Sequence, residues 1–173
     1  MKAIKTRNGV ASMCKIIVVY DSQTSNTEKM AKAVVEGASK VKDVEAELLK
    51  VGTPFDICLI DLADAVILGS PTHYGSVTSE MRALLQSLKE LKESKKLKIS
   101  GKMGGAFGSY EWDGGWVVDR LEADMKALGI KIAAPAVSAY DNMGGMEIRI
   151  NEASLQQCRE LGRAVAEKVA GKT

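Results

Sequence analysis

Apolar segments of strand length alternate with helical patterns along this chain, and this alternation restricts the fold more than any other feature. Residues 16–20 and 65–69 are continuous apolar runs, which are typical of parallel strands buried on both faces of a sheet. Between them, Met30, Val34 and Ala38 recur at helical spacing. Strands that alternate with helices in this way predict an α/β domain built on a parallel sheet.

The remaining segments continue the same alternation. Apolar and charged residues alternate at 44–48, which predicts a half-exposed strand, and residues 104–108 predict a strand of small residues. Pro135 lies inside the apolar run 132–137 and lacks a backbone donor, which places this fifth strand at a sheet edge. The predicted helices cover residues 27–40, 55–62, 81–91, 117–128 and 155–169.

The second predicted strand is half-exposed and the fifth contains a proline, so both are expected at edges of the sheet. Edge positions for both, joined by right-handed crossovers, give a doubly wound five-stranded parallel sheet of order 2-1-3-4-5 between two layers of helices. Ligands of such sheets bind beyond the carboxyl ends of the strands, near the switch point between the first and third. The candidate loops are therefore residues 22–27, 70–76 and 109–115.

Length and composition favour one domain. A chain of 173 residues can bury a core of its own, so we predict one domain over residues 14–173 after a flexible tail at 1–13. This tail is mildly basic and lacks the apolar centre of a signal peptide. Since no apolar run approaches the length of a membrane span, the sequence predicts a soluble cytoplasmic protein.

The cysteines give no metal or disulfide pattern. Cys14, Cys58 and Cys158 are widely separated and odd in number, which gives no zinc or iron–sulfur spacing and fits a reducing compartment. We interpret all three as small apolar packing residues.

Charge is nearly balanced overall but concentrated locally. The chain has 24 basic and 22 acidic residues and a net charge of +2, which argues against a dedicated nucleic-acid-binding protein. One segment is nevertheless rich in lysine and is broken by Glu90 and Glu93. It is interpreted as a solvated helix end and loop, or alternatively as a docking patch for an acidic partner protein. Its lysines are Lys89, Lys92, Lys95, Lys96, Lys98 and Lys102.

Hydroxyl groups dominate the first candidate loop, Ser22-Gln23-Thr24-Ser25-Asn26-Thr27. A helix is predicted to begin there, and its first turn presents N–H groups without intrahelical acceptors beside the positive end of the helix dipole. Such a turn can hold a phosphate. Because no Lys or Arg occurs between Tyr20 and Glu28, neutral donors would bind it. The alternative is an ordinary helix N-cap, where Ser, Thr and Asn are common.

Taken together, the three loops resemble the cofactor-binding loops of the flavodoxin family. The first loop is similar to the family's phosphate loop, a Ser/Thr-x-Thr-Gly-Asn-Thr pattern that binds the phosphate of FMN through hydroxyls and amides. Ser25 stands where the family usually has glycine, and serine tolerates a positive φ less well. The phosphate-binding residues that this resemblance implies are Ser22, Gln23, Thr24, Ser25, Asn26 and Thr27.

The second and third loops resemble the two segments that flank the flavin ring. The stretch Gly69-Ser70-Pro71-Thr72-His73-Tyr74-Gly75-Ser76 implies Tyr74 against one ring face and the Gly75 peptide beside flavin N5. The stretch Gly108-Ser109-Tyr110-Glu111-Trp112-Asp113-Gly114-Gly115 implies Tyr110 on the other face and Trp112 at the edge. It also resembles the flavodoxin-like domain of A-type flavoproteins. The implied ring-binding residues are Ser70, Pro71, Thr72, His73, Tyr74, Gly75, Gly108, Ser109, Tyr110, Trp112 and Gly114.

The resemblance implies a low-potential, single-electron carrier that uses FMN and exchanges electrons with donor and acceptor proteins. A monomer is expected, with a homo-oligomer as the alternative, and neither nucleic acid nor membrane is an expected partner. Flavodoxins are typically acidic, whereas the isoelectric point of this chain is about 8.4. We therefore expect its partner or its mode of docking to differ from the family norm.

Other functions fit parts of the same pattern. An FMN-dependent NAD(P)H:quinone oxidoreductase of the flavodoxin-like type suits the stretch Gly69-Ser70-Pro71-Thr72, but the chain lacks an evident insertion to build an oligomeric quinone site. A response-regulator receiver shares the expected topology, but it needs a phospho-accepting Asp where this chain has Gly69-Ser70-Pro71, and this excludes a receiver. An interaction module that has lost its flavin is the further alternative.

Overall fold

The computed structural model describes residues 6–7, 10–11, 13–141 and 150–171. Near the amino terminus, Thr6–Arg7 pairs antiparallel with Val10–Ala11. Apart from these four residues and Met13, the tail predicted at 1–13 lies outside the described residues, as do residues 142–149 and 172–173. The strands of the main sheet are β1 (Cys14–Tyr20), β2 (Val44–Lys50), β3 (Ala65–Pro71), β4 (Met103–Tyr110), β5 (Lys131–Ile132) and β6 (Val137–Tyr140). The helices are α1 (Asn26–Ser39), α2 (Cys58–Leu62), α3 (Ser79–Glu93), α4 (Val117–Ala127) and α5 (Glu152–Ala170).

The sheet is parallel throughout, with β1 in the interior between β2 and β3, and with β4 beyond β3. The two short strands β5 and β6 both pair with β4 and together form the far edge. The predicted order 2-1-3-4-5 and the flavodoxin-like α/β architecture are thereby confirmed.

The fifth strand differs from its predicted form, because a single strand over 132–137 is wrong. From Gly104 to Phe107 β4 advances three residues, while its partner advances five, from Ile132 to Val137. Pro135 lies in this interruption and cannot donate a ladder hydrogen bond. The strand resumes at Val137 and continues three residues further than predicted, to Tyr140.

Helices cover both faces of the sheet. Ile16 and Val18 of β1 belong to the apolar cluster that includes α1 and α5, whereas Ile17 and Val19 belong to the cluster that includes α3 and α4. All four side chains are fully buried, because successive residues of a central strand point to opposite faces. Along the described parts of the chain, no helix combines the length and the apolar character needed to cross a membrane.

The cysteines divide between core and surface. Cys14 and Cys158 are buried, as predicted for packing residues, but Cys58 is exposed at the start of α2. Burial raises the pKa of the Cys158 thiol to about 12, so this group stays protonated at neutral pH. Interpreting Cys58 as a packing residue was wrong, because Ile60 is the residue that this short helix buries, and Cys58 lies on its exposed side.

Candidate functional site

Three loops meet at the carboxyl ends of β1, β3 and β4. Because these strands are parallel and in register, with Tyr20 opposite Gly69 and Pro71 opposite Ser109, all three end at one edge of the sheet. Two hydrogen bonds join neighbouring loops directly. Thr27 Oγ1 and Ser109 Oγ lie 3.0 Å apart, and Thr72 N donates to the carbonyl of Ser109 over 2.8 Å.

The first loop turns into α1 through a left-handed serine. Ser25 has a φ of 71° and makes no side-chain cap hydrogen bond to the helix. A non-glycine residue in this region costs about 1–2 kcal/mol. The loop nevertheless keeps the turn that glycine would adopt without strain. Its remaining geometry is fixed by Ser22, whose Oγ accepts from Glu28 N at 3.3 Å and whose N–H donates to Asp21 Oδ1 at 2.7 Å.

Asn26 places an unpaired amide at the start of α1. The residue is fully buried, yet neither its Nδ2 nor its Oδ1 has a hydrogen-bond partner in the described part of the chain. Buried amides are normally bonded, and leaving one unbonded costs about 1–3 kcal/mol. The amide therefore supplies a donor that an anion at the loop could use, next to the N–H groups of Asn26 and Thr27 that begin the helix.

The second loop is a tight turn with an exposed tyrosine at its tip. His73 and Ser76 exchange two backbone hydrogen bonds of 2.8 and 3.1 Å. Between them, Tyr74 and Gly75 have φ values of 49° and 73°, and positive φ at both central residues is characteristic of a type I′ turn. The Tyr74 side chain is 97% exposed, so its ring stands in solvent beside the other loops.

The third loop carries a second exposed ring. Trp112 is 93% exposed and donates through Nε1 to Glu111 Oε2 at 2.9 Å. Asp113 Oδ1 accepts from Gly115 N at 3.2 Å. Gly115 has a φ of 83°, and a Cβ there would lie 1.9 Å from Ser138 Oγ. Glycine is required at this position, both for the backbone conformation and for the contact with β6.

The loops enclose an open cavity of about 420 Å³. It brings together residues that the sequence predicted from all three loops, namely Gln23, Thr24, Pro71, Thr72, His73, Tyr74, Gly75, Ser109, Tyr110 and Trp112. The cavity is also lined by Glu111, Asp113 and Asp141, which were not in the predicted set.

The other predicted residues do not line the cavity. Ser70 is fully buried, where its Oγ donates to the Pro71 carbonyl at 2.9 Å and accepts from Thr78 N at 3.3 Å. Gly108 lies against α4, because a Cβ there would come within 2.6 Å of Val117 Cγ1. The remaining five lie in the first loop, at the start of α1 or in the third-loop turn. They are Ser22, Ser25, Asn26, Thr27 and Gly114.

Asp141 is the site residue that the sequence most clearly missed. It directly follows β6, is 5% exposed, and its N–H donates to the Tyr110 carbonyl at 2.7 Å. Its Oδ1 has no hydrogen-bond partner among the described residues. The signal was present, because alternation continues from Val137 to Tyr140 and places Asp141 at the carboxyl end of an edge strand.

The cavity is acidic at its rim. The described residues that line it include three carboxylates and no Lys or Arg. A ring that gained negative charge there would be disfavoured electrostatically. In the described part of the chain, no three His, Cys, Asp or Glu side chains are grouped so that they could hold a metal ion.

Comparison with known sequences gives matches along nearly the whole chain. The family model described as Flavodoxin matches residues 18–162. A flavodoxin from Aquifex aeolicus is 33% identical over 174 aligned residues, which cover 91% of this chain and 88% of that protein. The type A flavoprotein fprA of Rhodobacter capsulatus is 28% identical over 161 residues, which cover 91% of this chain but 34% of that protein.

Solved structures also include both a chain of similar length and a longer one. A flavodoxin from the domain Archaea superposes with a TM-score of 0.71 at 28% identity, covering 90% of this chain and 98% of that one. Rubredoxin oxygen:oxidoreductase from Desulfovibrio gigas superposes with a TM-score of 0.78 at 26% identity, covering 93% of this chain and 37% of that one. This chain thus spans about a third of the length of the larger flavoproteins that it matches.

Proposed function

This chain belongs to the flavodoxin family, and from that premise we propose that it is a low-potential carrier that passes single electrons between redox proteins. FMN is the cofactor of the family, and when bound it accepts and releases electrons through its isoalloxazine ring. The chain itself has to hold the phosphate, cover the ring, set the charge around it and leave an edge accessible to partners.

The observation that carries the proposal is the division of chemistry within one site. One end has a buried, unpaired amide and an open helix start, while the other has two almost fully exposed aromatic rings. An anionic group joined to a planar apolar ring would satisfy both ends. Exposed aromatic residues at the rim also keep a ring held there close to the protein surface, where a partner protein can approach it.

At the phosphate end, we propose that neutral donors bind the anion. Ser22, Thr24 and Thr27 offer hydroxyls, and the Asn26 amide and the first N–H groups of α1 offer further donors. Hydrogen bonds to a charged group contribute about 1.5–3 kcal/mol each, and the helix dipole adds to them. Lysine is unnecessary at such a site.

At the ring end, we propose stacking contacts from Tyr74 and Tyr110, with Trp112 covering an edge. All three line the cavity. Aromatic pairs contribute about 0.5–1.5 kcal/mol beyond their buried area. The same contacts would remove the large solvent exposure of Tyr74 and Trp112, and so stabilise the loops that carry them.

The acidic rim supports the low potential. Glu111, Asp113 and Asp141 oppose added negative charge in the cavity, and so hold the bound ring towards its oxidised form. A tenfold preference between oxidation states corresponds to about 59 mV for a one-electron step. The carboxylates at the rim are therefore proposed to tune the potential of the cofactor.

A potentiometric titration of the FMN-loaded protein, followed by visible spectroscopy, tests the carrier function. We expect two separate one-electron steps, and no oxidation of NADPH in the presence of a quinone unless a reductase is added. A single two-electron step together with NADPH-dependent quinone reduction would replace the carrier with an oxidoreductase. A protein that does not take up FMN at all would favour an interaction module.

A further inference from the structure

A groove of about 350 Å³ runs between α3 and α4, next to the cofactor site but separate from it. Its floor contains the apolar side chains of Val77, Leu85 and Leu128, and its walls are mainly polar and charged. The polar lining residues are Arg82, Gln86, Lys89, Lys92, Glu93, Arg120 and Asp124.

The two loops at the ring end of the cofactor site connect to this groove through the chain. Val77 follows Gly75 of the second loop by two residues, and Arg82 Nη2 lies 3.4 Å from Ser76 Oγ. On the other wall, α4 begins directly after the third loop, with the exposed Trp116 as its N-cap residue. A protein seated in the groove would therefore also contact the rim of the cofactor site.

The charges of the groove are unequally compensated. Arg120 is paired with Asp124 at 3.1 Å, so this cation and this carboxylate largely cancel. Lys89 is exposed and forms no ion pair with any described residue, while Lys92 Nζ contacts the Ala127 carbonyl at 3.2 Å. Glu93 is the remaining carboxylate of the lining. The described lining residues of α3 thus include three cations and one carboxylate, which makes a positive stripe on this side of the helix, whereas Glu80 and Glu90 lie outside the lining.

The stripe continues beyond the end of α3. Lys95, Lys96 and Lys98 are exposed, which extends the positive surface away from the cofactor site. Lys102 does not belong to it, because its ammonium is half-buried and donates to the main-chain carbonyls of Asp61 and Ala63. The positive stripe thus begins beside the second loop and lies next to an acidic cavity rim of opposite sign.

We propose that the groove between α3 and α4 is the docking surface for a redox partner protein with an acidic surface. Charge complementarity favours such a partner over a basic one, and the apolar floor accommodates a few apolar side chains between its carboxylates. The neighbouring acidic rim repels the same acidic surface, which fixes the orientation of the partner along the stripe. This inference extends the proposed carrier function by naming the chemistry of the partner.

Lys89→Glu is the variant that tests the surface, and Lys42→Glu is its matched control. Both lysines are exposed and form no ion pair among the described residues, but Lys42 lies in the turn after α1. Binding of the FMN-loaded protein is measured by fluorescence anisotropy against a labelled plant-type ferredoxin as the acidic probe and cytochrome c as the basic probe. Melting temperature and bound FMN are measured for each variant to exclude misfolding.

At low ionic strength, we expect Lys89→Glu to weaken ferredoxin binding about fivefold to tenfold, and Lys42→Glu to leave it within about twofold, with the difference lost in high salt. Lys89→Gln should give an intermediate loss. Equal losses for both reversals, or tighter binding of cytochrome c than of ferredoxin, would overturn the docking surface. Specific binding without electron transfer would support the surface and refute the carrier function instead.

Discussion

Individual residues at this site hold conformations and environments that are unfavourable without a ligand. Ser25 adopts a left-handed backbone, Tyr74 does so with an exposed ring, and the Asn26 amide is buried without a partner. Strain and unpaired polar groups of this kind cluster at functional sites, because the surrounding fold can sustain their cost. Ser25 and Asn26 give different expectations for substitution.

Ser25→Gly should stabilise the protein. Glycine adopts a φ of 71° without strain, although it loses more backbone entropy on folding, so we expect a gain of about 0.5–1 kcal/mol in the free energy of unfolding. Ser87→Gly is the matched control, since Ser87 lies inside α3 and is exposed. The control should lose about 0.5 kcal/mol. Urea unfolding of both variants measures these changes in the free energy of unfolding. A lower free energy of unfolding for Ser25→Gly would contradict the strain assigned to Ser25.

Asn26→Ala should affect stability and cofactor affinity differently. Removing an amide that has no partner should change the stability of the cofactor-free protein by less than about 1 kcal/mol, whereas the affinity for FMN should fall about tenfold. Asn26→Asp should bind FMN more weakly still, because it places a carboxylate near the phosphate. Flavin fluorescence quenching and urea unfolding measure the two quantities. Equal FMN affinity in Asn26→Ala and the unmodified protein would remove Asn26 from the site.

Asp141→Asn should raise the reduction potential of the bound cofactor. Its carboxylate is 5% exposed at the cavity, where a negative charge is poorly screened and opposes reduction. We expect an increase of about 30–60 mV in the first one-electron potential. Asp119→Asn is the control, because Asp119 is exposed on α4 outside the cavity lining. A spectroelectrochemical titration in which both variants shift alike would assign the effect to net charge alone.

At the level of elements, the site depends on how closely the helices pack on the sheet and on one another. Gly37 of α1 and Gly162 of α5 face each other's helix, since a Cβ at either position would lie 1.9 Å from a main-chain oxygen, of Arg159 and of Val34 respectively. The two backbones can approach this closely only with glycine at both positions. This contact fixes α1, and with it the open amino-terminal end that forms the first loop.

Gly162→Ala should therefore destabilise the protein strongly. The added methyl group meets backbone, which cannot move aside without separating α1 from α5, so we expect a loss of about 2–3 kcal/mol. Gly105→Ala gives a useful contrast, because its Cβ would meet the end of the Leu161 side chain at 2.9 Å, and that side chain can adjust. Thermal unfolding followed by circular dichroism compares them. A larger loss in Gly105→Ala would refute backbone contact as the cause.

Periodicity predicted most elements of the fold but missed the break in the last strand of the sheet. The pattern of apolar residues alone predicts β1, β3, α1 and α5. A strand that is buried on both faces is apolar throughout, and a helix that packs on one side has apolar residues at helical spacing. The interruption at Pro135 is different. A proline is compatible either with an edge strand or with a break in a strand. The break is present, because β4 pairs with Lys131–Ile132 and again with Val137–Tyr140, on either side of Pro135.

For the whole molecule, cofactor binding and folding are coupled. The three loops contact one another at a few hydrogen bonds, and the rings of Tyr74 and Trp112 are solvent-exposed. A ligand that bridges all three loops stabilises the folded state by about 2.7 kcal/mol when its concentration is 100 times its dissociation constant. The loops are thus expected to be the part of the molecule most affected by removal of the cofactor.

Removing FMN should lower the melting temperature by about 5–10 °C, since 1 kcal/mol corresponds to about 2–4 °C for a domain of this size. Riboflavin has the ring without the phosphate and should restore only part of this shift, because it leaves the donors of the first loop unused. Differential scanning fluorimetry with each compound measures both shifts. Equal shifts from riboflavin and FMN would mean that the hydroxyl-rich loop binds no phosphate.

The sequence by itself predicted the sheet order and the three candidate loops from burial patterns, and its loop motifs implied FMN through their resemblance to the flavodoxin family. It located Ser25 at a turn that favours glycine, but the left-handed backbone of that serine is a property of the folded loop. Tertiary structure decided that Asp141 lines the cavity, that Ser70 and Gly108 support it from behind, and that lysines on α3 face a groove next to the site. These features depend on distances between residues far apart in the chain, and those distances are set by packing across the sheet and not by local pattern.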